Sequence, residues 1–257
     1  MAGREAAEDE LLGGRVRLSQ SPDGYRAGMD AALLAAACDV AQRQSVVEAG
    51  CGAGAVLLMA AARRPGARFV GLERDADLVA LAHANIALNG LENRVTVELL
   101  DICQLRIDRE FDAALANPPF FDDPSRLRLP AAAKRGAWIA EEGLAAWIDF
   151  LTRAVKDKGT ITLIHRAERL GELLPLMAAR AGSFQVRPIQ PHADAPASRV
   201  LVRAVRGGRA PLLLLPALVL HPRGGAPHTP EAEAILRGEA DLPWHQAISI
   251  ARAGNRP

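Results

Sequence analysis

From Val46 onward, short β-like runs alternate with helical patterns, and this alternation restricts the fold more than any other feature of the chain. "SVVEAG" is followed by "AGAVLLMAAARR", "ARFVGLE" by "DADLVALAHANIALNG", and "RVTVELLD" by "FDAALAN", "EEGLAAWIDFLTRAVKDKG" and "GTITLIH". Strands joined in this way form right-handed crossover units, which make a parallel sheet with helices on both faces. The punctuation agrees. Asp75 is a predicted N-cap, and Gly90 a stop, for the second helix. The "EEGL…KDKG" helix carries acids at its start and bases at its end, as the helix dipole favours. After the fifth strand, "SFQVRPI" and "SRVLVRAV" follow one another without a helix, which predicts an antiparallel pair at the far edge. "PLLLLPALVLH" offers a further strand, and "TPEAEAILRG" a short helix capped by Thr229. Ahead of the sheet, "GMDAALLAAACDVA" reads as a helix whose start is signalled by Asp30. The expected fold is α/β: a doubly wound, mostly parallel seven-stranded sheet with an antiparallel strand pair at one edge.

The chain has 257 residues, 49% of them hydrophobic, enough for a sizeable core. The expected division is a disordered tail over 1–12 and one domain over 13–257. Within that domain, 13–45 is a helical cover, 46–165 the cofactor-binding core and 166–257 the C-terminal half of the sheet. A formal net charge of +1 gives no global basic footprint. The 3 cysteines form no CxxC pair, so reduced thiols in a cytoplasmic protein are expected. The 6 histidines show no ligand spacing, so no metal is expected. "MAGREAAEDELLGG" has no apolar core of a signal peptide. "PLLLLPALVLH" is broken by Pro216 and falls short of the ~20 residues a membrane span needs. No membrane partner is expected.

Four motifs close successive strands, where open α/β sheets bind ligands. The first is "EAGCGAG", Glu48 to Gly54, whose glycines let the backbone turn sharply and approach a ligand. It also satisfies a loose dinucleotide pattern through Gly50, Gly52 and Ala55. The second is Glu73, 73 − 54 = 19 residues past the last glycine, at the distance of an acid that takes ribose hydroxyls. Nicotinamide and S-adenosylmethionine binders share this feature, and a solvated carboxylate beside Asp75 also fits it. The third is Asp101, able to accept from an adenine amine with Ile102 against the ring, or simply to make a turn. The fourth is Asn117-Pro118-Pro119-Phe120. Neither proline can donate to a sheet ladder, so the strand ends there. An exocyclic amine conjugated to a ring is a poor nucleophile. Two acceptors on its N–H bonds hold it nearer to tetrahedral and stabilise the developing positive charge. The Asn117 side-chain oxygen is one such acceptor and the Pro118 carbonyl the other, held in direction by the following proline. Phe120 offers a face for stacking a planar group. A tight turn with a buried Phe is the plainer alternative. Phe121 leads into an acidic "DDP", after which Arg126, Arg128, Lys134 and Arg135 make a basic loop able to follow phosphates.

These motifs together resemble the class I S-adenosylmethionine-dependent methyltransferases, which implies a Rossmann-like fold. NPPF resembles the motif of their amino-methylating group. "GYRAGMDAALLAA" is similar to the segment that bacterial valine-tRNA adenine N6-methyltransferases carry before the cofactor loop, through Gly28, Asp30, Leu33 and Leu34. Arg199-Val200-Leu201 and "TPEAEAI" match later features of that family. The resemblance covers about residues 11–240. It implies S-adenosylmethionine as cofactor, with Arg26, Gly28, Asp30, Glu48, Gly50, Cys51, Gly52 and Gly54 towards its methionine end. Glu73 and Arg74 would lie at the ribose, Asp101 and Ile102 at the adenine, and Asn117 near the methyl. It further implies an RNA substrate, with tRNA favoured and with Pro119, Phe120, Phe121, Lys134 and Arg135 as substrate contacts. Asn117, Pro118 and Phe120 become the catalytic candidates. The rivals are methylation of a protein glutamine or of guanine N2 in ribosomal RNA, a non-catalytic S-adenosylmethionine-binding module, and, more remotely, a nicotinamide oxidoreductase, which leaves NPPF unexplained.

Overall fold

The computed structural model of the chain describes residues 7–20, 27–103, 110–119 and 140–244. Its first elements are β1 (Ala7–Leu11) and β2 (Val16–Gln20), an antiparallel hairpin in register Ala7 with Gln20 and Leu11 with Val16. Residues 7–12 are therefore not a frayed tail, and the cover ahead of the sheet is a hairpin plus one helix. The reason is alternation: Val16, Leu18 and Gln20 are buried while Arg17 is exposed, so one face of β2 packs on the core.

Helix α1 (Met29–Ala36) leads into β3 (Ser45–Ala49), α2 (Ala55–Arg63), β4 (Arg68–Glu73), α3 (Ala76–Leu88), β5 (Val95–Leu99) and β6 (Phe111–Ala116). Then follow α4 (Ala140–Ala154), β7 (Val155–Arg166), a 3-10 turn, α5 (Leu170–Ala178), β8 (Ala181–Gln190), β9 (Arg199–Arg206), the two-residue strands β10 (Leu213–Leu214) and β11 (Leu218–Val219), and α6 (Pro230–Leu236). The main sheet runs β10-β8-β9-β7-β6-β3-β4-β5, with β11 also on β8. Its seven long strands are those expected. β9 runs antiparallel to both neighbours, as the helix-free "SFQVRPI"–"SRVLVRAV" connection implies. "PLLLLPALVLH" adds two short parallel strands rather than one.

The local signals behave largely as read. Asp75 Oδ1 accepts from Asp77 N (2.9 Å) and Leu78 N (3.2 Å), and Thr229 Oγ1 accepts from Ala232 N at 3.2 Å. Two boundaries differ. Helix α4 ends at Ala154, and 155–158 already belong to β7. Helix α1 is N-capped by Gly28 with no side-chain bond. Asp30, read as the helix signal, instead pairs with Arg199 Nε at 3.0 Å. Two apolar clusters flank the sheet. One packs α1, α2, α3, β2 and α6, and the other packs α4 and α5.

Candidate active site

The chain runs β3, β4, β5 in one direction across the sheet and then returns to β6 and β7 on the other side of β3. The reversal leaves a crevice at the carboxyl ends of β3 and β6, where ligands of such folds bind. The parallel register aligns Ala49 with Leu72 and Ala116, and Glu73 with Leu99. The four motifs therefore stand in one row along the sheet edge: Asp101, Glu73, the glycine loop, Asn117. At ~4.8 Å per strand the row is about 14 Å long.

The loop after β3 is built on backbone that side chains resist. Gly50, Gly52 and Gly54 have φ of 61°, 54° and 89°. A Cβ on Gly52 would meet nothing within 4 Å, so the loop is bare on its outer side. At Gly50 the reverse holds: a Cβ would lie 2.3 Å from Cη2 of Trp147, a half-buried residue of α4. Gly54 is the N-cap of α2, whose first N–H groups lack helical partners and favour an anion. Below the loop, Cys51 is buried and its Sγ approaches Gly71. Burial, with Glu48 and Glu73 nearby, pushes the Cys51 thiol well up.

Glu48 is buried, and its Oε2 has no partner among the described residues. Desolvation pushes its carboxyl well above the ordinary range, opposed by one backbone bond from Leu57 and reinforced by Glu73. Glu73 is also buried, but backbone N–H groups satisfy its carboxylate: Oε1 accepts from Arg74 N (2.9 Å) and Asp75 N (3.0 Å), and Oε2 from Gly52 N (2.9 Å). A carboxylate offers about four acceptor sites. Three are in use, so one on Oε2 remains for a ligand hydroxyl. Asp101 lies beyond the end of β5 and uses Oδ1 to accept from Cys103 N at 2.9 Å, which is the turn-forming role weighed above. It stands beside Glu73 because Leu100 N donates to Glu73 O at 2.8 Å. Ile102 packs on the apolar cluster under α4, and Arg74 is exposed.

Asn117 is half-buried, Pro118 buried and Pro119 exposed. Gly28 needs no glycine for space, since a Cβ there meets nothing within 4 Å. Asp30 and Arg199, from two stretches far apart in the chain, meet as the ion pair described above. Arg26, Phe120, Phe121, Lys134 and Arg135 lie outside the described residues. Two contacts to the glycine loop carried no motif: Trp147 against Gly50, and Asn85, whose Nδ2 donates to Ala53 O at 3.0 Å. Asn85 did leave a signal, a polar residue on the apolar stripe of "HANIALNG". Among the described residues no side-chain group suits a metal ion, and no helix is long and apolar enough to cross a membrane.

The sheet order, with its reversal between β3 and β6, is that of a Rossmann-like doubly wound α/β fold. Residues 26–132 match the family model of the methyltransferase small domain. Over 98 residues the chain is 38% identical to the tRNA1(Val) (adenine(37)-N6)-methyltransferase of Phocaeicola vulgatus, covering 38% of this chain and 42% of that protein. Over 216 residues it is 27% identical to the protein of the same name from Dyadobacter fermentans, covering 81% of this chain and 87% of that one. The match to the first thus spans less than half of its length. Among solved structures, a predicted O-methyltransferase from Agrobacterium tumefaciens superposes with a TM-score of 0.69 at 24% identity, over 83% of this chain and 98% of that one, a likeness of fold.

Proposed function

We propose that the chain is an S-adenosylmethionine-dependent N-methyltransferase acting on the N6 amine of an adenine in tRNA. The observation that carries this reading is the position of Asn117, at the switch point next to the glycine loop and at the end of the Asp101–Glu73–loop row. The row is long enough for a nucleoside with an amino-acid tail. In this reading Asp101 and Ile102 receive the adenine, and Glu73 takes a ribose hydroxyl on its remaining acceptor site. The Gly50–Gly54 loop and the α2 N-terminus receive the methionine carboxylate.

When bound, S-adenosylmethionine supplies an electrophilic methyl group on a sulfonium. The protein's task is to hold the acceptor amine against it. Asn117 Oδ1 and the Pro118 carbonyl each accept one N–H of the amine, which turns its lone pair towards the methyl and stabilises the charge that develops. Alignment of this kind supplies up to ~7–11 kcal/mol of the barrier reduction. No strong base is required, since the methylated amine is acidic until it loses its proton. An adenine already unpaired in an RNA loop leaves its stack at low cost.

The tRNA acceptor rests on the names of the relatives, and on the Asp30–Arg199 pair, which joins two stretches of the resemblance to the tRNA enzymes. The test is methyl transfer from labelled cofactor to total tRNA, ribosomal RNA and protein, followed by nucleoside and amino-acid analysis. N6-methyladenosine in tRNA is the expected product. N2-methylguanosine or methylglutamine in its place would overturn the acceptor, and cofactor binding without any transfer would leave a binding module.

A further inference from the structure

Strand β2 is an outer strand of the hairpin, so the backbone groups of Arg17 and Ser19 that face away from β1 need partners. Two asparagines of α3 supply them. Asn85 Oδ1 accepts from Ser19 N (2.8 Å) and its Nδ2 donates to Ser19 O (2.9 Å). Asn89 Oδ1 accepts from Arg17 N (2.9 Å) and its Nδ2 donates to Arg17 O (2.7 Å). The spacings match: four helical residues rise ~6.0 Å and two strand residues ~6.7 Å. The amide groups thus stand in for a neighbouring strand.

The two asparagines differ in one bond. The second N–H of Asn89 returns to its own helix, at Asn85 O (2.7 Å). The second N–H of Asn85 crosses to Ala53 O in the glycine loop at 3.0 Å. The peptide between Ala53 and Gly54 is then held at both ends, because Gly54 N donates to Cys51 O at 2.9 Å. That peptide fixes the direction in which α2 starts, since Gly54 is the helix N-cap. Asn85 is fully buried, and its one acceptor and two donors are all used. The next residue of β2 extends the connection. Gln20 Oε1 accepts from Ala27 N (2.6 Å) and its Nε2 donates to Asp9 Oδ2 (2.5 Å), which ties the start of the Gly28–Asp30 segment to the same hairpin.

We infer that Asn85 is a positioning residue of the cofactor site. It couples the docking of the N-terminal hairpin to the geometry of the glycine loop, so the hairpin helps set cofactor affinity as well as covering the sheet. This rests on the loop being the S-adenosylmethionine site. Asn89 provides a matched control, with an equivalent bond pair to β2 and no bond to the loop.

The experiment compares wild type, Asn85→Ala and Asn89→Ala by calorimetric titration with S-adenosylmethionine and by thermal melting. Both variants should melt earlier. Only Asn85→Ala should weaken cofactor binding, by about tenfold for a loop hydrogen bond, and its methyl-transfer rate should recover at saturating cofactor, as loss of binding alone predicts. If Asn85→Ala is unfolded at the assay temperature, Asn85→Asp, which keeps an acceptor for Ser19 N but has no donor for Ala53 O, is read in the same way. Equal cofactor affinity in the folded Asn85 variant and wild type would overturn the inference. A wild-type protein that binds no S-adenosylmethionine would instead overturn the functional reading.

Discussion

Replacing Gly50 by alanine should be costly for two separable reasons, and Trp147 tells them apart. The φ of 61° places the new side chain in the left-handed region, at about 1–2 kcal/mol. The added Cβ would also stand 2.3 Å from Trp147 Cη2, and 3.2 Å from Cζ2 and Cζ3. Carbon atoms rest at ~3.5 Å or more, so the ring must retreat by about 1.2 Å. Displacing a packed ring by that much is an overpacking defect of about 1–3 kcal/mol. Gly50→Ala should therefore lose about 2–5 kcal/mol in all. In a Trp147→Ala background the obstacle is gone, and Gly50→Ala should lose only the backbone part. The double-mutant cycle should show coupling of about 1–3 kcal/mol. Urea unfolding of the four proteins measures it. Additive losses would mean that the indole does not bear on Gly50, and that backbone strain alone demands the glycine.

Asn117→Ala should lower turnover by about 10²–10³ while leaving the cofactor affinity measured by calorimetry unchanged; a wild-type rate would sink the two-acceptor mechanism. Burial raises the Glu48 carboxyl above its unfolded value of about 4.3. Its stabilising contribution is thus complete below that pH and is lost as pH rises through the folded value. Glu48→Gln should flatten this decline in the cofactor-free protein, and parallel urea-midpoint profiles for mutant and wild type would contradict it. Cys103 is exposed, whereas burial pushes Cys38 to about 12 and raises Cys51 further, so a thiol reagent should modify Cys103 alone until denaturant is added; native labelling of Cys51 would show that the loop opens. Reversing Lys134 and Arg135 to Glu should weaken tRNA binding and reduce its salt slope by roughly one per lost phosphate contact; an unchanged slope would remove that loop from the RNA surface.

The sequence determined by itself whatever depends on neighbours in the chain. The strands and helices of the β3–β7 half follow from periodicity. Asp75 and Thr229 cap their helices because a cap closes onto the N–H groups two or three residues ahead. The motif row was legible because strand ends are marked by glycine, acid or proline, and the alternating pattern makes those ends neighbours. Tertiary structure decided what depends on a distant partner. Residues 7–11 look like part of an acidic tail in isolation, yet they pair with β2, whose outer groups are satisfied by Asn85 and Asn89 from the α3 end. Asp30 follows a local capping pattern, but Arg199, 169 residues away, takes its carboxylate. Gly50 reads as a flexible turn residue, and only the fold brings Trp147 onto it. A hydrogen bond or contact across the fold leaves no periodicity in the chain, because its spacing is set by packing and not by the pitch of a helix or the pleat of a strand.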